Sequence, residues 1–130
     1  SSDLQNKENN MADKVYHPQN SLANDDQLLG FVQAQLTGDL GKDLLGVGPA
    51  TVTALNNEGI TTTFQLIAKY LSFKGIEDGE MVDPKLHSQM FYQWLCEVNT
   101  AGKYRSTVVH CIAEKMNIVF PGLYEAEAYN

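Results

Sequence analysis

The sequence predicts an all-α protein, a compact bundle of about five helices. Apolar residues recur at helical spacing almost throughout, and no strand-type alternation survives between the turn signals. Proline, glycine and capping residues also fall where helices of ordinary length need to start and stop.

Residues 1–24, SSDLQNKENNMADKVYHPQNSLAN, are polar and lack apolar periodicity. They are expected to form a flexible arm, because they bury too little surface to offset the entropy of ordering. Leu28, Phe31, Val32, Gln35 and Leu36 mark a first helix, capped by Asn24 or Asp25 and stopped near Gly38. After residues 40–45, the stretch GVGPA sets a glycine on each side of Val47 and a proline at the start of the next periodic segment. That helix runs from Pro49 to about Asn57 and is closed by Gly59. Thr62 and Gln65 form a capping-box pattern ahead of Phe64, Leu66, Ile67, Tyr70 and Leu71. Residues 74–83, KGIEDGEMVD, read as an exposed acidic loop whose spacing does not follow the helix–loop–helix calcium pattern. Asp83 and Pro84 offer a cap and a first-position proline for a helix to about Val98, with Met90, Phe91, Trp94, Leu95 and Val98 on one side. A last helix begins near Gly102 and carries Tyr104, Val108, Cys111, Ile112 and Met116. The domain therefore spans 25–120, with 121–130 as a tail.

The formal net charge is −7, but its distribution matters more than its sum. Glu77, Asp78, Glu80 and Asp83 lie in one loop, Glu125 and Glu127 lie in the tail, and the rest of the body is neutral. No basic stripe advertises an anionic partner. Cys96 and Cys111 are too few for a disulfide scaffold and fall on apolar helix faces, so both are expected as reduced core residues. No apolar run approaches the length of a membrane helix and no signal-peptide pattern opens the chain, so no membrane insertion is expected and the protein is read as intracellular.

The glycine turn leaves several N–H groups free at the positive end of a helix dipole, an arrangement suited to a phosphate oxygen. Gly46 and Gly48 let a main chain approach, and the amides of Val47, Gly48, Ala50 and Thr51 are candidate donors, whereas Pro49 has none. The pattern resembles the helix-hairpin-helix motif. From 31 to about 119 the chain also resembles the barrier-to-autointegration factor family, through FVQAQL, GVG, GITTTFQLIAKYL, FYQWL, AGKYRS and CIAEK in that order. The resemblance covers roughly two thirds of the chain.

What the resemblance implies is a nuclear homodimer that binds double-stranded DNA without sequence preference. Each subunit would hold one duplex, so that a dimer bridges two, and a groove at the dimer interface would receive LEM-domain proteins of the nuclear envelope. By position, Gly46, Val47 and Gly48 become the hairpin grip, and Ala101, Gly102 and Lys103 a second phosphate contact at another helix start. Three departures weaken the match, one being an insertion of about eleven residues in the loop before the Trp94 helix. Asp25, Asp26 and Gln27 stand where the family has hydroxyl residues and a DNA-facing lysine, and Thr53 and Ala54 stand where it has paired lysines. Carboxylates near a phosphate site repel it, so DNA affinity is expected to be attenuated, with a DNA-silent protein adaptor as the alternative.

Catalysis is not expected. No lysine lies between Gly46 and Ala68 to serve as the nucleophile of a helix-hairpin-helix glycosylase. His110 and Cys111 are adjacent, hence about 100° apart around a helix, and cannot readily face one another. No zinc-ligand spacing is present, and neither metal nor cofactor is expected.

Overall fold

Asn24, not Asp25, starts the first helix. Its side chain accepts the Gln27 amide at 2.8 Å while the Gln27 side chain accepts the Asn24 amide at 2.9 Å, a reciprocal capping box. The computed structural model describes residues 15–130. Within them lie six α-helices: α1 Asp25–Gln33, α2 Leu40–Asp43, α3 Pro49–Asn57, α4 Thr63–Ser72, α5 Pro84–Glu97 and α6 Arg105–Val119. The all-α expectation holds, with one more helix than the periodicity suggested. At four residues α2 is too short to display a period; it exists because the Asp39 side chain caps the amides of Gly41 and Lys42.

Where local chemistry governs, the boundaries follow it. The Thr62–Gln65 capping box opens α4, and the Asp83 carboxylate accepts the Leu86 amide to open α5 behind Pro84. Gly59, at φ +81°, closes α3 in the left-handed region. The first helix ends earlier than expected, at Gln33, and the cause is distant in sequence. Lys115 of α6 donates from one ammonium to the carbonyls of Phe31, Val32 and Ala34 at 2.8–3.0 Å, placing a cation on the negative end of α1.

The acidic segment is not wholly a loop. Ile76–Glu77 (β1) pairs antiparallel with Glu80–Met81 (β2) around Asp78 and Gly79, both at positive φ. Asp-Gly is the favoured pair for such a tight hairpin turn, because its two central residues must be left-handed. Two residues per strand are too few to register as alternation.

The core forms around α6, whose Val109, Ile112 and Ala113 are fully buried and against which α1 and α5 pack. Leu55, Leu66, Tyr70, Phe91 and Leu95 complete it from α3, α4 and α5. Trp94 packs at its margin beneath the Lys69 ammonium. Cys96 and Cys111 are both free thiols, and burial pushes the Cys111 thiol up to about 11.

The expected flexible arm is corrected for its second half. Tyr16 is only 2 % exposed, its hydroxyl shares a 2.8 Å hydrogen bond with that of Tyr124, and its amide donates to Gln89. The Leu22 amide donates to Thr107 of α6, and His17 packs edge-on against Tyr129. Residues 15–24 and the tail thus close over one face of the bundle. One aromatic anchor plus hydrogen bonds to remote elements orders them, and neither needs sequence periodicity. Residues 1–14 of the expected arm lie outside the described residues.

Two outcomes test this packing. The Asp43 carboxylate accepts from the Thr37 amide and hydroxyl, the Gly38 amide and, at 2.6 Å, the Thr63 hydroxyl. Burial alone would raise its pKa, and these donors instead hold it below the usual range. Asp43→Ala is expected to lower stability by about 1–3 kcal/mol in urea denaturation, a figure already discounted for its partial exposure. His87 is fully buried, stacked on Tyr70 with Nε2 2.7 Å from the Tyr70 carbonyl, and burial holds its pKa below the ordinary imidazole value. The folded protein therefore resists a proton that the unfolded chain accepts below about pH 6.5. Its contribution to stability is complete above that pH and is lost as the pH falls further. The melting temperature is expected to drop between pH 7.5 and 5.5, and less steeply in His87→Phe; equal slopes would refute the assignment.

Candidate nucleic-acid interface

The two glycines of the hairpin have different reasons to be there. Gly46 sits at φ +85°, and a Cβ built on it would lie 2.3 Å from Cγ of Tyr104. Backbone conformation and a ring pressed on the main chain both demand glycine. Gly48 has an ordinary φ of −96°, and a Cβ there would meet nothing within 4 Å. It caps α3 without a side chain, where serine or aspartate would cap better.

The amides divide in the same way. Val47 is a core residue, and its amide makes a long 3.5 Å contact to the Leu44 carbonyl. It is therefore not a donor for a ligand, which corrects the sequence expectation. The amides of Gly48, Ala50 and Thr51 have no acceptor among the described residues, as expected for the first turn of a helix with no side-chain cap. Pro49 removes the one remaining donor and pre-sets the helix.

The second predicted contact lies directly beside the first, although some fifty residues separate them in sequence. Two contacts hold them together, and a cation sits beside them. The Thr51 hydroxyl accepts the Ala101 amide at 3.3 Å, the Tyr104 ring seats on Gly46, and the Lys103 ammonium lies 5.7 Å from the centroid of that ring. The first contact corrects another expectation: the Ala101 amide is engaged internally and is not available to a phosphate. Gly102 and Lys103, in the 3₁₀ turn Gly102–Tyr104 that leads into α6, keep amides with no acceptor among the described residues. The surviving exposed candidate donors are thus Gly48 and Ala50 on one turn and Gly102 and Lys103 on the other, with the Lys103 side chain exposed beside them, while Thr51 is only 6 % exposed.

Arg105 shapes the second turn, and sequence reasoning missed it. Its Nη2 donates to the Thr100 carbonyl at 2.6 Å and its Nε to the Thr100 hydroxyl, which itself donates to the Leu95 carbonyl at 2.9 Å. The guanidinium thereby ties the end of α5 to the start of α6. Nothing in the spacing singles out this arginine, because its partner is a loop carbonyl made accessible only by the fold.

A groove of about 950 Å³ runs from the hairpin to α1, walled by Gln27, Phe31, Leu36, Lys42 and Tyr104. Gln27 places the first turn of α1, with Asp25 and Asp26, at this end of the molecule. Of the nearby cations, Lys115 is engaged by the carbonyls of α1 and Arg105 by Thr100, so Lys42 and Lys103 are the exposed ones. The described residues contain no cluster of His, Cys, Asp and Glu able to hold a metal. His110, Cys111 and Glu114 lie within one stretch of α6, with burial lowering the His110 pKa and raising that of Glu114.

The glycine distinction is open to measurement. Gly46→Ala is expected to cost roughly 2–4 kcal/mol, from a left-handed alanine together with the displaced Tyr104 ring, whereas Gly48→Ser is expected to leave the unfolding midpoint unchanged or slightly raised. Equal losses at both positions would remove the distinction. No family model matches the chain, nor does a curated protein or a solved structure.

Proposed function

We propose that this protein binds duplex DNA without sequence preference, gripping the phosphate backbone through main-chain amides of two adjoining turns. The observation that carries this reading is Gly48. It is a glycine that neither backbone conformation nor packing requires, in open space beside amides that lack acceptors. A side chain there would cover those amides; a phosphate oxygen would satisfy them. Backbone gripping orients a duplex but reads no bases, so sequence preference is not expected.

The wider proposal follows the resemblance to the barrier-to-autointegration factor family: a homodimer acting in the nucleus as a chromatin and nuclear-envelope adaptor, with LEM-domain proteins as further partners. The dimer and the LEM groove rest on that resemblance alone. Sedimentation at two concentrations tests them, and a monomer at both would remove bridging and groove together.

A second reading, a dimeric adaptor that joins proteins without touching DNA, is favoured by the scarcity of free cations. With Lys42 and Lys103 as the exposed positive side chains at the site, neutralisation contributes a salt slope of only about −2, at roughly −0.9 per phosphate contact. The amides must supply the rest.

Titration of labelled duplexes of unrelated sequence at low and moderate salt separates the readings. Comparable affinities and a shallow salt slope are expected, with binding weakened by Lys103→Glu and tightened by Asp25→Ser with Asp26→Ser. Gly48→Asp is decisive, because aspartate is a better cap than glycine. It is expected to keep or slightly raise the melting temperature while abolishing DNA binding; wild-type affinity in that variant, or no binding by the wild type at low salt, overturns the DNA reading.

A further inference from the structure

On the face of the molecule formed by β2, the start of α5 and the C-terminal segment lies a second groove, of about 630 Å³. Its walls are apolar: Leu71, Met81, Val82, Pro84, Phe120 and Leu123. Of these, Met81 is 67 % exposed and Phe120 50 %, and the chain leads into Phe120 through the exposed Ile118 and Val119, which lie outside the groove's lining. Scattered exposed hydrophobics are ordinary, but two large ones on the walls of one apolar concavity of ligand-binding size suit a docking segment.

The charges around it say what. Asp83 and Glu125 line the groove, and Asp78, Glu80 and Glu127 belong to the same hairpin and tail. Lys74 lines the groove as well, but both cations of this region are engaged by the protein itself. Lys74 donates to the Val82 carbonyl, and the Lys85 ammonium lies over the Tyr129 ring at 5.4 Å from its centroid. An apolar floor with an acidic rim suits apolar side chains flanked by basic ones.

The same charges disfavour other occupants. A second copy docking here through a two-fold axis would set acidic rim against acidic rim, since such an interface pairs a patch with itself. Residues 1–14 of this chain carry three acids against two lysines and offer no basic flank. We propose that this groove is a docking site for a short segment of a partner protein, one with two apolar anchor residues bracketed by lysine or arginine. The site is separate from the hairpin and does not depend on the DNA reading.

The test uses the full chain and a panel of fluorescein-labelled twelve-residue peptides. Each peptide carries two leucines three or four positions apart, flanked by lysines, glutamates or serines, and anisotropy reads binding. At least one lysine-flanked peptide is expected to bind with micromolar affinity, at least tenfold more tightly than its glutamate-flanked counterpart. Met81→Glu, at an exposed position that should not disturb folding, and Glu125→Lys are each expected to weaken that peptide at least fivefold, while Gly48→Asp leaves it unchanged. Failure of every lysine-flanked peptide to bind, indifference to flank charge, or indifference to Met81→Glu overturns the proposal. So does a concentration-dependent dimer that Met81→Glu dissociates, since the occupant would then be a second copy.

Discussion

The carboxylate of Asp43 is the point on which the hairpin half of the molecule hangs. It accepts from the turn at Thr37 and Gly38 and from the hydroxyl of Thr63, the first residue of α4. Those donors lie at two places, the segment between α1 and α2 and the start of α4, and the carboxylate at the end of α2 joins them. A charged acceptor with several short donors is among the stronger polar interactions a protein makes. Because Asp43 is the last residue of α2, its geometry also fixes where Leu44 and Val47 enter the core, and hence where Gly48 emerges. The Thr63 amide also donates to the Gly38 carbonyl, so turn and helix are joined directly as well as through Asp43.

That frame explains how an acidic protein can present a surface suited to an anion. The partial charges on unsatisfied amides belong to the backbone and do not depend on net composition. They act over the first turn of a helix. What matters is which amides remain free. Burial of Val47 and the bond from Ala101 to Thr51 remove two candidates, but the second bond is also what sets the two turns side by side. One hydrogen bond removes a donor and gains a geometry.

A different kind of closure acts at the chain ends. Tyr16, Tyr124 and Tyr129 pack with tilted or edge-on rings, which suits aromatic quadrupoles better than face-to-face stacking. The shared hydroxyl bond between Tyr16 and Tyr124 joins residues at opposite ends of the described chain. Together these contacts cover His110 and the outer face of α6, and the same tail forms one wall of the apolar groove. Ordering the tail therefore buries one surface and creates another.

The sequence by itself determined whatever depends on residues within one helical turn of each other: a cap at Asn24 or Asp25, the capping box at Thr62, the prolines at 49 and 84, the glycine turn and the periods of α3 to α6. These are local competitions for backbone hydrogen bonds, and the participants are neighbours in the chain. Even the β-hairpin left a local mark, the Asp78–Gly79 pair, though strands of two residues left no period. Tertiary structure alone decided that Lys115 ends α1, that Asp43 joins three segments, that Tyr16 anchors the N-terminal residues, and that Thr51 meets Ala101. Apart from the bonds of Asp43 to Thr37 and Gly38, each of those contacts joins groups 20 to 108 positions apart, and no spacing rule reaches that far. Such partners meet only after the helices have packed, because the core sets the distances between them.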